Sequence, residues 1–284
     1  MLDLDRTTAA ADQLQAAEQR RAPIDPLVVS FPGIDAEDAY QIQLLNIRRR
    51  LAANGRVVGH KVGLSSRAMQ EMMGVDEPDY GHLLADMRLT SDVPARRDRY
   101  CQPRVEPEVG FILGADLPGE GCTEADVLAA TEAVAPALEL IDSRIVDWRI
   151  RLPDTIADNA SSAGFVLGPE RVNPRDLDLT AIPVRLYRNG EEVAAGRSDA
   201  VLGNPVIAVA WLARTVARFG VRLRAGHLVL PGSCTRAIDA RAGDDFSAEF
   251  DGLGTVRLAF AADNARDPDN SKLGNSKEKA GAQE

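Results

Sequence analysis

Histidine and cysteine are scarce in this chain, with three of each among 284 residues. Cys101, Cys122 and Cys234 are odd in number and far apart, and no Cys-x-x-Cys occurs. That pattern gives neither a zinc knuckle nor a disulfide framework. His60, His82 and His227 show no pair at ligand spacing, which disfavours zinc. Ser233 lies between Gly232 and Cys234 and not in a Gly-x-Ser-x-Gly elbow, which argues against serine hydrolase chemistry. There is no glycine-rich phosphate loop and no internal repeat. Basic residues are outnumbered, 33 Lys+Arg against 43 Asp+Glu, for a net charge of -10. Such a surface repels phosphate backbones, so nucleic acid is not expected as a partner. The start, Met-Leu-Asp-Leu-Asp-Arg, has no cationic segment followed by an apolar one, and no apolar run reads as long enough to span a bilayer. The expectation is a cytoplasmic protein with no membrane partner.

What is present suits a packed globular chain: 45% hydrophobic and 27% charged residues. The pattern predicts a helix over 7–21, ended by Pro23 and Pro26. A second helix opens at Asp35, its N-cap, with Asp38 three residues on, and stops at Asn54-Gly55. The grammar then changes to short strands. Residues 57–64 read as one, followed by a short helix over 66–73 with a Met69, Met72, Met73 face, which usually means core. Residues 108–113 and 137–141 read as strands. Between them Thr123 caps a helix running to Val134. Val184–Tyr187 alternates and meets Asn189-Gly190, a strong hairpin signal. A helix over 205–219 and strands near 227–230, 246–250 and 255–260 complete the pattern. The expected fold class is α+β: a helical segment over 1–55 packed on a β-rich domain over 56–262. From Ala262 the composition turns to Asp, Asn, Ser, Lys and Gly, which predicts a disordered tail over 263–284.

The most informative stretch is Arg104-Val105-Glu106-Pro107-Glu108-Val109. On a strand, residues two apart project to the same side, so Glu106 and Glu108 aim two carboxylates at one place. Two solvated glutamates would look the same, but the strand continues into an apolar run. Like charges at the edge of a core repel unless a cation neutralises them. Glu139 is a lone charge between Leu138 and Leu140, and a buried carboxylate needs a partner. Three carboxylates suit Mg²⁺ or Mn²⁺; a salt bridge to an arginine would serve Glu139 as well. Lys61 is a cation in an apolar strand. Either it snorkels to water, or it binds a substrate carboxylate or enol oxygen. Asp79, in Pro78-Asp79-Tyr80-Gly81, and the polar run 158–162 read by themselves as turn and loop.

Taken together, these residues resemble a known family. Gly59-His60-Lys61-Val62-Gly63-Leu64-Ser65-Ser66, Gly74-Val75 with Pro78-Asp79-Tyr80-Gly81, and Pro103–Glu108 follow one another in the expected order. Glu139–Arg144, Asp147-Trp148 and Ala157–Ser162 come next. The set is similar to the 2-keto-4-pentenoate hydratase / 4-oxalocrotonate decarboxylase family of the fumarylacetoacetate hydrolase superfamily, over roughly residues 7–260. The resemblance implies the β-rich fold of that superfamily's C-terminal domain and a divalent metal, usually Mg²⁺, on Glu106, Glu108 and Glu139. It carries the family's lysine onto Lys61 and its acidic turn residue onto Asp79. Arg144 and Ser161 match positions near the substrate carboxylate. Asp147–Ile150, Asp154–Asn159 and Pro231-Gly232-Ser233 resemble the hydratase branch. The continuation to Arg236 looks like actinobacterial hydratases of steroid and aromatic ring breakdown. His60 departs from the pattern, since several hydratases carry a second lysine there.

The implied activity is hydration of a 2-hydroxypenta-2,4-dienoate to a 4-hydroxy-2-oxo acid. The implied partners are that small acid, further copies of the chain, and a downstream aldolase or related decarboxylase. The rival readings are decarboxylation of a 2-oxo-enedioate, C–C hydrolysis of an acylpyruvate, and a silent metabolite-binding homologue.

Overall fold

A computed structural model describes residues 2–66, 70–71, 75 and 77–263. The expected Met-rich helix and the tail therefore lie largely outside the described residues. Helix α1 (Leu4–Arg20) starts three residues earlier than the pattern predicts, because Asp3 is its N-cap and accepts from Arg6 N. After the single turn α2 (Leu27–Ser30), helix α3 (Ala36–Ala52) is capped as expected, with Asp38 N donating to Asp35 at 2.8 Å. The two long helices pack on each other. Ala10, Leu14, Tyr40 and Ile42 join the same continuous core as Val105, Leu138 and Phe246.

The site is built on a seven-stranded mixed sheet. Its strands are β1 (Val57–Gly63), β2 (Asp79–Leu84), β3 (Pro103–Leu113), β4 (Thr131–Asp142) and β5 (Ser162–Leu167), with two later short strands. The order is β2-β1-β8-β3-β4-β5, where β8 is Leu228–Leu230; β9 (Ile238–Asp239) pairs with β3. Among the described strands of this sheet, only β1 and β8 pair in parallel. A second, antiparallel sheet contains β6 (Pro183–Arg188), β7 (Glu191–Arg197), β10 (Asp245–Phe250) and β11 (Gly254–Ala259), in the order β11-β10-β6-β7. The β6–β7 turn is the predicted hairpin: Asn189 and Gly190 both have positive φ, 56° and 82°.

Three expectations are corrected. The helix capped by Thr123, α4 (Glu124–Ala130), ends four residues early, and Thr131–Asp142 is a twelve-residue strand. Its residues from Ala133 on are all buried, and sheet pairing on both edges overrides the helix propensity of an alanine-rich run. Asp79 does not sit in a turn; it opens β2 and is buried. Finally, Ser198–Ala217 is by length and composition apolar enough to cross a membrane. Its helix, α6 (Pro205–Ala217), is a core element: Val206, Val209, Leu212 and Val216 are buried, and it packs on α4 and β1.

Candidate metal centre and substrate cavity

Strand geometry brings the three glutamates together. Glu106 and Glu108 are two apart on β3, and Glu139 on β4 is the register partner of Glu106. All three therefore project from one face. One carboxylate oxygen from each lies within 4.8 Å of the others. Glu108 and Glu139 are fully buried and Glu106 is half-buried. Two of the carboxylates are tied on one side. Gly232 N donates to Glu108 Oε2 at 2.7 Å, and Ser162 Oγ donates to Glu139 Oε1 at 2.7 Å. Glu108 Oε1 has no hydrogen-bond partner among the described residues.

Lys61 reaches the same place from β1. Its Nζ donates to Ala160 O at 3.0 Å and lies 3.4 Å from Glu139 Oε2. It does not snorkel: it is 2% exposed. Asp79 is the register partner of Gly63 across β1 and β2. Thr155 Oγ1 donates to Asp79 Oδ2 at 2.6 Å, while Oδ1 is unpartnered among the described residues. A Cβ on Gly63 would collide with Asp79 Oδ1 and come within 2.8 Å of Lys61 Nζ. The absent side chain is what lets the ammonium and the free carboxylate oxygen converge.

Charge in this place is unbalanced. Burial pushes the Glu106 carboxyl up to about 7, with Lys61 opposing and Glu139 adding to the rise. Burial also lifts Glu108 well above the usual range, reinforced by Glu139 and Glu106. Burial raises Glu139 against the pull of Lys61 and Ser162. Burial would lower the Lys61 ammonium, but Glu139, Asp79, Glu106 and Glu108 outweigh it and hold it above its ordinary value. One ammonium facing four carboxyl groups leaves room for a divalent cation. Oxygen-only donors, including the spare Glu108 Oε1, fit Mg²⁺ or Mn²⁺.

Lys61, Asp79 and Glu106 open onto a cavity of about 510 Å³, within the usual size for small-molecule sites. Strand β8 ends at Leu230, and the following chain lines the cavity with Ser233 to Ala237. Lys61, Asp79, Glu106 and Ser161 share that lining with Ile141, Ile150 and Trp148. The Arg104 guanidinium also lines it. It stands 4.5 Å from the Trp148 ring centroid and bonds Asp239 at 2.8 Å.

The fumarylacetoacetate (FAA) hydrolase C-terminal family model matches residues 67–261. A 2-keto-4-pentenoate hydratase of Paraburkholderia xenovorans (strain LB400) is 46% identical over 251 residues, covering 88% of this chain and 93% of its own. The chain belongs to the fumarylacetoacetate hydrolase family. A second member, the 2-hydroxyhexa-2,4-dienoate hydratase of Comamonas testosteroni, is 40% identical over 92% of this chain and 99% of its own. Among solved structures of the family, the 4-oxalocrotonate decarboxylase from Pseudomonas putida G7, complexed with magnesium and adipate, superposes with a TM-score of 0.88. It is 33% identical, covering 92% of this chain and 99% of that one.

Against the family resemblance, one residue sits differently from expectation. Arg144 is not among the cavity-lining residues. Its guanidinium is taken up by Asp158 Oδ1 and the carbonyls of Asp142 and Asp158, each at 2.5 Å. The Asp142 and Asp158 acceptors close round it, so it braces the chain behind the cavity. His60 points to the opposite sheet face from Lys61, as strand alternation requires. Its ring packs 4.8 Å from His82 and 5.5 Å from His227. Ser161, by contrast, does line the cavity. It belongs to a turn with an unusual backbone: Asn159, Ala160 and Ser161 have φ of 55°, 50° and 54°. For L-residues each such position costs about 1–2 kcal/mol. From sequence, Gly63, Gly232, Thr155, Ser162 and Arg104 stand inside motifs but carry no assigned site role. Only Gly63 carried a signal, a glycine inside an apolar strand.

Proposed function

We propose that the chain is a metal-dependent hydratase that converts a 2-hydroxypenta-2,4-dienoate-type acid to a 4-hydroxy-2-oxo acid in meta-cleavage catabolism. The observation that carries this reading is the convergence of Glu106, Glu108 and Glu139 with Lys61 and the free oxygen of Asp79, beside a cavity that Lys61, Asp79 and Glu106 line. Glu106, Glu108 and Glu139 would hold a magnesium or manganese ion, which when bound supplies a Lewis acid for the substrate's carboxylate and C2 oxygen.

The chain's own groups then act on the dienol. Lys61 Nζ faces the C2 oxygen and stabilises the negative charge that grows there. The dienol gives up its O2 proton and gains one at C5, which makes C4 of the resulting 2-oxo-3-enoate electrophilic. Asp79 Oδ1 takes a proton from the water that adds at C4, and a proton is delivered to C3. Thr155 holds the other Asp79 oxygen, so only Oδ1 is available for that role. Ser161 lines the substrate side. The apolar walls at Ile141 and Ile150 would take the hydrocarbon end of the substrate.

The same reading puts the enzyme in the cytoplasm, as a homo-oligomer, handing its product to an aldolase. A second reading, decarboxylation of a 2-oxo-enedioate, draws on Arg104 and Arg236 in the cavity lining, which a second carboxylate could meet. Arg104 is already paired with Asp239, which favours hydration. The test is to mix the purified chain with 2-hydroxypenta-2,4-dienoate and follow the dienol absorbance with and without Mg²⁺. Metal-dependent loss with formation of a 4-hydroxy-2-oxo acid is expected. Release of carbon dioxide from 2-oxohex-3-enedioate, with an inert dienol, would select the second reading.

A further inference from the structure

We infer that Asn159 is a positioning residue that pins a left-handed turn so that the turn's carbonyl holds Lys61 in the cavity. The inference rests on the role proposed above for Lys61. Helix α5 (Leu152–Ala157) ends at Asp158, and the next three residues all adopt positive φ. Asparagine tolerates that conformation better than most residues, whereas alanine and serine do not favour it. The surroundings must therefore impose it.

Two features do so. The Asn159 side-chain amide makes two bonds to the backbone of one residue on β2. Its Oδ1 accepts from His82 N at 2.7 Å, and its Nδ2 donates to His82 O at 2.9 Å. The amide thus acts as an extra rung beside the strand. Only a group with one donor and one acceptor at that length can fill it. Next to it, Gly81 leaves the space the turn needs, since a Cβ there would collide with Asn159 O. Gly81 is also the register partner of Lys61.

The consequence falls on the cavity. With the turn left-handed, Ala160 O receives Lys61 Nζ at 3.0 Å, and Ser161 faces the cavity. The chain then enters β5, where Ser162 Oγ binds Glu139. Asn159 touches neither the cavity nor the carboxylates, and acts through Lys61 and the residues after it.

The experiment is a double-mutant cycle on the full-length, Mg²⁺-loaded chain with 2-hydroxypenta-2,4-dienoate as substrate. It uses Asn159→Gly, Lys61→Met and the two combined. Glycine accepts positive φ freely, so Asn159→Gly removes the amide bonds without adding strain. We expect its kcat to fall about ten-fold or more, with KM within about three-fold of wild type. In the Lys61→Met background the same change should lower kcat by no more than about two-fold, because the group being positioned is gone. Gly81→Ala, which displaces the turn while keeping Asn159, should reproduce the Asn159→Gly split between kcat and KM. Wild-type kcat in Asn159→Gly, or losses that multiply in the double variant, would overturn the inference while leaving the Lys61 role standing. A fully active Lys61→Met would instead overturn the Lys61 role itself. Failure of both Asn159→Gly and Gly81→Ala to fold would show that the turn serves the fold and not Lys61, which also overturns the inference.

Discussion

Lys61 and Arg144 are both cations buried in the same interior, and the sequence marks both as substrate-side candidates. Their surroundings differ. Arg144 is closed in by Asp158 and two carbonyls. Lys61 has one carbonyl and one glutamate, faces a cavity, and sits among more carboxyl groups than it can neutralise. A balanced, enclosed cation stabilises the fold. A cation beside excess negative charge, with space in front of it, is equipped for ligand chemistry.

The largest expected effect breaks the closed set. Arg144→Met leaves Asp158, 3% exposed, without its cation. Stability measured by urea unfolding should fall by about 3–5 kcal/mol, the scale for an orphaned buried charge. A stable Arg144→Met with a raised KM would instead place Arg144 on the substrate.

The next effect concerns His82 on β2, whose ring packs against His60 of β1. Burial holds His82 down to about 4, with His227 adding to it. In the unfolded chain a histidine titrates near 6.5. Between those values the unfolded state binds the proton and the native state does not, so stability is lost as pH falls from about 6.5 toward 4. Relative to His82→Gln, the wild type should lose about 3 kcal/mol over that window, read from paired urea curves. Parallel curves would mean that His82 protonates in place.

For Lys61→Met, we expect turnover to fall by about two orders of magnitude, the scale for losing one charge-stabilising group. Stability of the metal-free protein should fall as well, because buried Glu139 loses the ammonium 3.4 Å away. Retained turnover would make Lys61 a structural cation like Arg144. The smallest effect is deletion of residues 263–284. Their composition predicts a melting temperature and turnover close to wild type, and a large drop in either would mean that the segment docks.

What could be read from the sequence was local. Period-two spacing put Glu106 and Glu108 on one face, and Glu139 stood out as a charge in an apolar strand. The Asp35 and Thr123 caps and the Asn189-Gly190 turn are short-range signals, and each sits where expected. What was not legible depends on pairing between distant segments. Gly232 is 124 residues from the Glu108 it binds, and Ser162 is 23 from Glu139. Asp79 read as a turn residue because its strand is defined only by pairing with β1. The Arg144 position matched a family motif, but a motif does not say which way a guanidinium points. The left-handed turn at 159–161 depends on a bond to His82, 77 residues away.

The central claim is that Glu106, Glu108 and Glu139 hold one divalent ion, and a Mg²⁺ titration followed by thermal unfolding tests it most directly. At about 100 times its dissociation constant, Mg²⁺ should stabilise the wild type by about 2.7 kcal/mol. Lys61→Met should keep a comparable stabilisation, and Glu108→Gln should lose it. A wild type that does not respond to Mg²⁺ or Mn²⁺, or a Glu108→Gln variant that responds as fully as wild type, would contradict the account.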